Sequence, residues 1–210
     1  RITKLEGGIA SVACASGMAA LTNAFLNILR SGDEIVSSAS LYGGTIDLFE
    51  DLSAFGITTR YVENNNWKEI EAAINEHTRF IFAETIGNPC LDVTDIKKLS
   101  QIAHSHGIPL IVDNTTSTPY LIRVLEHGAD IVVNSSSKYI NGSSNAISGV
   151  LTDSGKFKWD KEKYPGLADY VKFGPMAFVA KIRNGLFRNI GACLAPVNAY
   201  LNLIGIETLG

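Results

Sequence analysis

Apolar positions along the chain follow two alternating rhythms. Ala19, Ala20, Leu21, Ala24, Phe25, Ile28 and Leu29 recur at the spacing of an amphipathic helix, and Ser31-Gly32-Asp33 closes it. Residues 34–37 then read as a strand, 42–55 as a helix ending at Gly56, and 58–62 as a strand. The alternation continues with a helix over 67–76, a strand over 79–84 and a helix over 94–106 stopped by Gly107. A strand follows at 108–113, then a helix at 120–127 stopped by Gly128, a strand at 131–134 and one more at 146–151. Short β-branched runs between longer helical stretches specify βαβ units. The expected fold is therefore α/β, a mostly parallel sheet with helices on both faces. Residues 156–172, with their charges, Pro165 and Gly166, read as a surface excursion, and 196–209 as an apolar helix.

In an open α/β sheet, ligands bind beyond the carboxyl ends of the strands. The polar residues that follow each apolar run are thus the ones to question. Lys138 directly follows the 131–134 run and sits among Ser, Gly and Asn, unlike the other ten lysines. A lysine partly desolvated at a strand end can act as a nucleophilic amine; the alternative is a side chain snorkelling at the sheet edge. Asp113 ends the strand over 108–113, so its carboxylate is expected in the same crevice. A protonated pyridine nitrogen would pair with it, and a helix cap is the competing role. A lysine able to form a Schiff base, together with an acid for a pyridinium, is what pyridoxal phosphate requires.

A phosphate needs backbone N–H donors at a helix N-terminus. Ser16-Gly17-Met18 offers them just before the first long helix, although Ser16 is equally a plain N-cap. Ser135 and Ser137 could add hydroxyl donors. Tyr42, ahead of Gly43-Gly44-Thr45, could stack on a planar ring or be a core tyrosine. Neither GxxxxGK[ST] nor GxGxxG occurs, which disfavours a nucleotide loop and a nicotinamide enzyme, and no GxSxG elbow is present. Cys14 lies near the proposed phosphate loop but reads as a small buried hydrophobe.

Five segments taken together resemble one family. Ala15-Ser16-Gly17-Met18-Ala19-Ala20, Leu41-Tyr42-Gly43-Gly44-Thr45, Glu84-Thr85-Ile86-Gly87-Asn88-Pro89, Ile111-Val112-Asp113-Asn114-Thr115 and Ser135-Ser136-Ser137-Lys138-Tyr139-Ile140-Asn141-Gly142 stand in the order and spacing of the Cys/Met-metabolism pyridoxal-phosphate enzymes. The resemblance spans essentially the whole chain and implies the large cofactor-binding domain of fold type I over residues 1–195. Residues 196–210 would begin a helix leading to a C-terminal domain. Within the family, residues 41–49, 86–89 and 196–200 are most similar to the O-acetylhomoserine sulfhydrylases, with cystathionine synthases and lyases and methionine γ-lyase as near relatives. The resemblance implies that Lys138 holds pyridoxal 5′-phosphate, Asp113 bonds the ring nitrogen and Tyr42 stacks on the ring. Gly17, Met18, Ser135 and Ser137 would hold the phosphate, with Ser16 beside them and Asn88 near the ring oxygen. Ser137 stands where the family usually has Thr, and Ser143 where it often has His. The implied reaction is γ-replacement on O-acetyl-L-homoserine by sulfide, giving homocysteine and acetate in methionine biosynthesis. A homotetramer, a dimer of dimers with shared sites, is implied as well. A Tyr and Arg lent by a neighbouring subunit would have counterparts before Arg1, and the arginine for the substrate carboxylate would lie beyond Gly210.

Composition narrows the setting. The chain has 210 residues, 46% of them hydrophobic and 19% charged, which fits a globular protein with a substantial core. A net charge of −3 argues against a nucleic-acid or anionic-membrane surface. The 3 cysteines are odd in number and far apart, which makes a disulfide framework unexpected and a reducing, cytoplasmic compartment the default. The chain begins at Arg1 without Met, and is read as part of a longer protein.

Overall fold

The structure, a computed structural model, describes all 210 residues. A short helix α1 (Ile2–Glu6) leads into strand β1 (Ala10–Cys14) and helix α2 (Gly17–Ile28). Then come β2 (Glu34–Ser38), α3 (Gly43–Ser53), β3 (Thr58–Val62), α4 (Trp67–Ala73), β4 (Thr78–Glu84) and α5 (Ile96–Ser105). The second half holds β5 (Leu110–Asp113), α6 (Thr118–Leu121), β6 (Ile131–Asn134), β7 (Gly149–Asp153), α7 (Ala177–Asn184), α8 (Leu186–Asn189) and α9 (Pro196–Ile206). The strands form one sheet in the order β1-β7-β6-β5-β4-β2-β3. Pairing is parallel from β3 through β6, and β7 runs antiparallel to both neighbours, β6 and β1.

Alternation along the strands builds two cores, because successive side chains point to opposite faces. Phe80, Phe82, Ile111, Ile131, Val133 and Leu151 pack toward α2, α3 and α7. Ile81, Ala83, Leu110, Val112 and Val132 pack toward α4 and α5. Phe25 of α2 stacks on Phe80 at 5.2 Å between ring centroids and meets Phe82 edge-on at 5.2 Å. Helices cover both faces, as the alternation predicts. No helix is long and apolar enough to cross a membrane.

Three expectations need correction. The 156–172 stretch is not a surface excursion throughout. Trp159, Tyr164 and Leu167 are buried in the α2-side core, with Trp159 stacked on Phe178 at 5.4 Å and the Tyr164 hydroxyl donating to the Arg79 carbonyl. Charged residues between them mask the aromatic anchors. The helix expected over 120–127 is broken. Four residues of α6 end at Leu121, a 3-10 turn runs Val124–His127, and Asn114 Nδ2 donates to the Ile122 carbonyl between them. The last strand sits at Gly149–Asp153 rather than 146–151, because Thr152 and Asp153 are buried despite their polarity.

Candidate functional site: a cradle at the carboxyl edge of the sheet

Parallel strands β4, β5 and β6 end together, which gathers distant residues at one edge. Glu84 and Asp113 are direct register partners, and Asp113 pairs with Val133. By strand alternation both acids share the face of Phe82, Ile111 and Val133, the face covered by α2 and α3. Burial pushes the Asp113 carboxyl above its ordinary value, while hydrogen bonds from Thr115 pull it back. Asp113 Oδ1 accepts from the Thr115 N–H at 2.8 Å. Thr115 Oγ1 in turn accepts from the Ser135 N–H at 2.7 Å. The carboxylate and the loop after β6 are thereby fixed to each other.

That loop lies against the start of α2. A Cβ added to Gly17 would stand 2.6 Å from Ser135 Cβ and 2.8 Å from its Oγ, and one added to Gly149 would fall 2.0 Å from the Ser16 carbonyl. Only glycine lets these backbones approach so closely. Ser16 is the N-cap, its oxygen accepting from the Ala19 N–H at 3.0 Å, and the first amides of α2, with no partner inside the helix, open beside Ser135. Met18 sits in this first turn, half-buried. Cys14 is buried in the core as expected, and burial raises its thiol to about 12.

The remaining expected residues fall at the same edge, with differences. Lys138 is on the turn after β6, its N–H donating to the Ser135 carbonyl at 3.0 Å. Its side chain is exposed, not desolvated, because that turn projects beyond the sheet. A lysine that is desolvated is Lys181 on α7, which donates to the Asn27 carbonyl and is lowered, chiefly by burial, to about 7. Ser137 does not join Ser135. Its hydroxyl donates to the Ser148 carbonyl at 2.9 Å and accepts the Ser148 N–H at 2.8 Å, which commits its only proton to holding the loop. Tyr42 is half-exposed, with its ring folded back over its own helix: a Cβ on Gly44 would stand 2.6 Å from its Cε1. Asn88 is exposed, on a loop tied down by Asp92, which accepts from Ser40 and from Asn64 Nδ2.

Sequence reading gave Glu84 no role. It is 7% exposed and its Oε1 accepts from the Tyr42 N–H at 2.7 Å. Burial first, and then the neighbouring Asp113 charge, push its carboxyl up to about 8. An acidic residue at the last position of a strand beside Asp113 was the available signal.

The whole chain, residues 1–210, matches the family model described as Cys/Met metabolism PLP-dependent enzyme. The chain belongs to that family. Among its curated relatives is the sulfhydrylase FUB7 of Fusarium oxysporum f. sp. lycopersici, 45% identical over 224 residues, covering 100% of this chain and 52% of the relative. The chain spans about half the length of the curated relatives it matches. Two solved structures superpose with a TM-score of 0.91. One is the O-acetylhomoserine sulfhydrylase of Wolinella succinogenes, at 43% identity, covering 99% of this chain and 60% of that one. The other is a putative O-acetylhomoserine (thiol)-lyase of Campylobacter jejuni, at 36% identity with 99% and 54% covered, whose crystal structure carries N′-pyridoxyl-lysine-5′-monophosphate.

The residues of this PLP-family chain fit the family's coenzyme. Free amides and the Ser135 hydroxyl lie at one end of the cradle for a phosphate, and the Asp113 carboxyl at the other for a ring nitrogen. Tyr42 and Lys138, an aromatic ring and a primary amine, follow strands that end at the same edge.

Proposed function

We propose that this chain carries the coenzyme site of a γ-replacement enzyme that converts O-acetyl-L-homoserine and sulfide to L-homocysteine and acetate. The observation supporting this most is the hydrogen-bonded run from Asp113 through Thr115 to Ser135, which abuts Gly17. It fixes an acid and an anion cradle in one rigid line at a parallel-sheet edge. The sulfhydrylase names of the relatives support the choice of substrates.

Pyridoxal phosphate, when bound, supplies an electron-accepting ring that stabilises negative charge developed on a substrate carbon. Asp113 would pair with the ring nitrogen and favour its cationic form. Lys138 would hold the coenzyme through its amine, and that amine, once free, would serve as general base toward the substrate Cα proton. Tyr42 would flank the coenzyme and move a second proton as acetate departs. Gly17, Met18 and Ser135 would hold the phosphate, and Asn88 would contact the ring oxygen. We read the working assembly as a homotetramer, a dimer of dimers with sites completed across subunits, acting in the cytoplasm.

The test is the purified protein incubated with O-acetylhomoserine, with and without sulfide. Homocysteine and acetate in equal amounts, dependent on sulfide, are expected. Release of a 2-oxo acid and ammonia without sulfide would replace this reading with elimination. Lys138→Ala is expected to lose both the covalent visible absorbance and turnover, and Asp113→Ala to bind coenzyme with turnover reduced about a hundredfold or more.

A further inference from the structure

Helix α3 begins without a cap of its own: Tyr42 is its N-cap residue and makes no side-chain capping bond. Helix N-termini leave backbone donors unpaired and favour a negative group nearby. Here that group comes from another element. Glu84, at the last position of β4, places Oε1 2.7 Å from the Tyr42 nitrogen. The Glu84 main chain is itself anchored, its carbonyl accepting from the buried Thr94 hydroxyl at 2.7 Å. On its other side Glu84 faces Asp113 across the β4–β5 register. One carboxyl therefore bridges the helix start that carries Tyr42 and the strand end beside Asp113.

We propose that Glu84 is a positioning residue for the coenzyme site: its side-chain oxygen caps α3 and sets the height of the Tyr42 ring relative to Asp113. The proposal rests on reading Tyr42 and Asp113 as coenzyme contacts. The oxygen, rather than a negative charge, is what the position needs. Burial first, and then the charges of Asp113 and Asp92, outweigh the Tyr42 and Asn88 amides and favour the protonated carboxyl near neutral pH. A protonated carboxyl still keeps a carbonyl oxygen for the Tyr42 amide. Tyr42 has no slack to compensate, since its ring already lies against Gly44.

Three substitutions separate capping from packing and charge. Glu84→Gln keeps the acceptor and the shape. Glu84→Met keeps the volume but removes the acceptor, and Glu84→Ala removes both. Dissociation constants for pyridoxal phosphate are measured on apo protein by absorbance and Tyr/Trp fluorescence quenching, with circular dichroism as the check on folding. Glu84→Gln is expected within threefold of the parent protein, and Glu84→Met at least tenfold weaker. In a Tyr42→Ala background, Glu84→Met should add less than twofold, because the ring it positions is gone. Parent-like binding by Glu84→Met would overturn the proposal in favour of packing. Equal loss in Glu84→Gln and Glu84→Met would overturn it in favour of charge. Should Glu84→Met and Glu84→Ala both fail to fold, the Gln variant decides: parent-like affinity supports the cap, and a tenfold loss refutes it. Absence of covalent coenzyme absorbance in the parent protein is a separate outcome, and it would sink the underlying site reading instead.

Discussion

A methyl group at position 17 probes the cradle more sharply than any polar change. It would stand 2.6 Å from Ser135 Cβ, so either the loop after β6 or the first turn of α2 must retreat. Gly17→Ala is expected to weaken pyridoxal phosphate binding at least tenfold with little change in circular dichroism. A Ser135→Gly change on top should recover part of the loss; equilibrium titration of both proteins checks this. At this scale the sequence was informative where chemistry follows from place in a strand. Asp113 and Lys138 stand just past apolar runs, and the structure puts them at one edge. It misled where identical side chains have different neighbours. Ser135 and Ser137 look equivalent in sequence, yet only Ser135 abuts Gly17, while Ser137 is held by Ser148 across a separation of 11 residues. Glu84 went unread because its role depends on a hydrogen bond to a residue 42 positions earlier.

Helix α1 is held to the sheet in part through a buried acid. Glu6 is fully buried, and its Oε1 accepts from Asn134 Nδ2 at 2.7 Å, at the end of β6. Its Oε2 and the Asn114 and Asn134 side-chain oxygens have no partner. Burial raises the Glu6 carboxyl from 4.5 to about 7, against the pull of Asn134, Asn114 and Arg123. A folded-state value above the unfolded one means that the folded chain binds the extra proton. The resulting stability is complete below about pH 4.5 and is lost as pH rises to about 7. Glu6→Gln, which needs no proton, should therefore flatten this dependence and stabilise the protein at pH 8 by about 3 kcal/mol at most. Urea unfolding at pH 5 and pH 8 tests it, and an unchanged pH slope in the variant would refute the assignment. Element boundaries were legible where Gly closes an amphipathic run, as before β3 and β5. They were not legible after Asn114, where a side-chain bond to Ile122 breaks the run from outside it.

Across the molecule, four acids raised by burial tilt stability in the same direction, Asp113 among them. Glu6 and Asp153 are raised to about 7 and Glu84 to about 8, each chiefly by burial. Lys181, lowered to about 7, works the opposite way above that pH, where the folded chain gives up a proton that the unfolded chain keeps. The apo protein should thus melt at a higher temperature at pH 5.5 than at pH 7.5, and calorimetry showing the reverse would count against these assignments. At this scale the alternation of strands and helices specified a parallel, doubly covered sheet. The strand order was beyond it, because order is decided by which faces can be covered together rather than by local pattern. One consequence concerns how the chain is made. β7 separates β1 from β6, so the strand formed first along the chain has no neighbour to bond until residue 153 exists. During synthesis β1 must wait unpaired while some 140 later residues emerge. Translation stalled before β7 would leave that wait without an end, and chaperone dependence should be greatest for chains arrested just short of it.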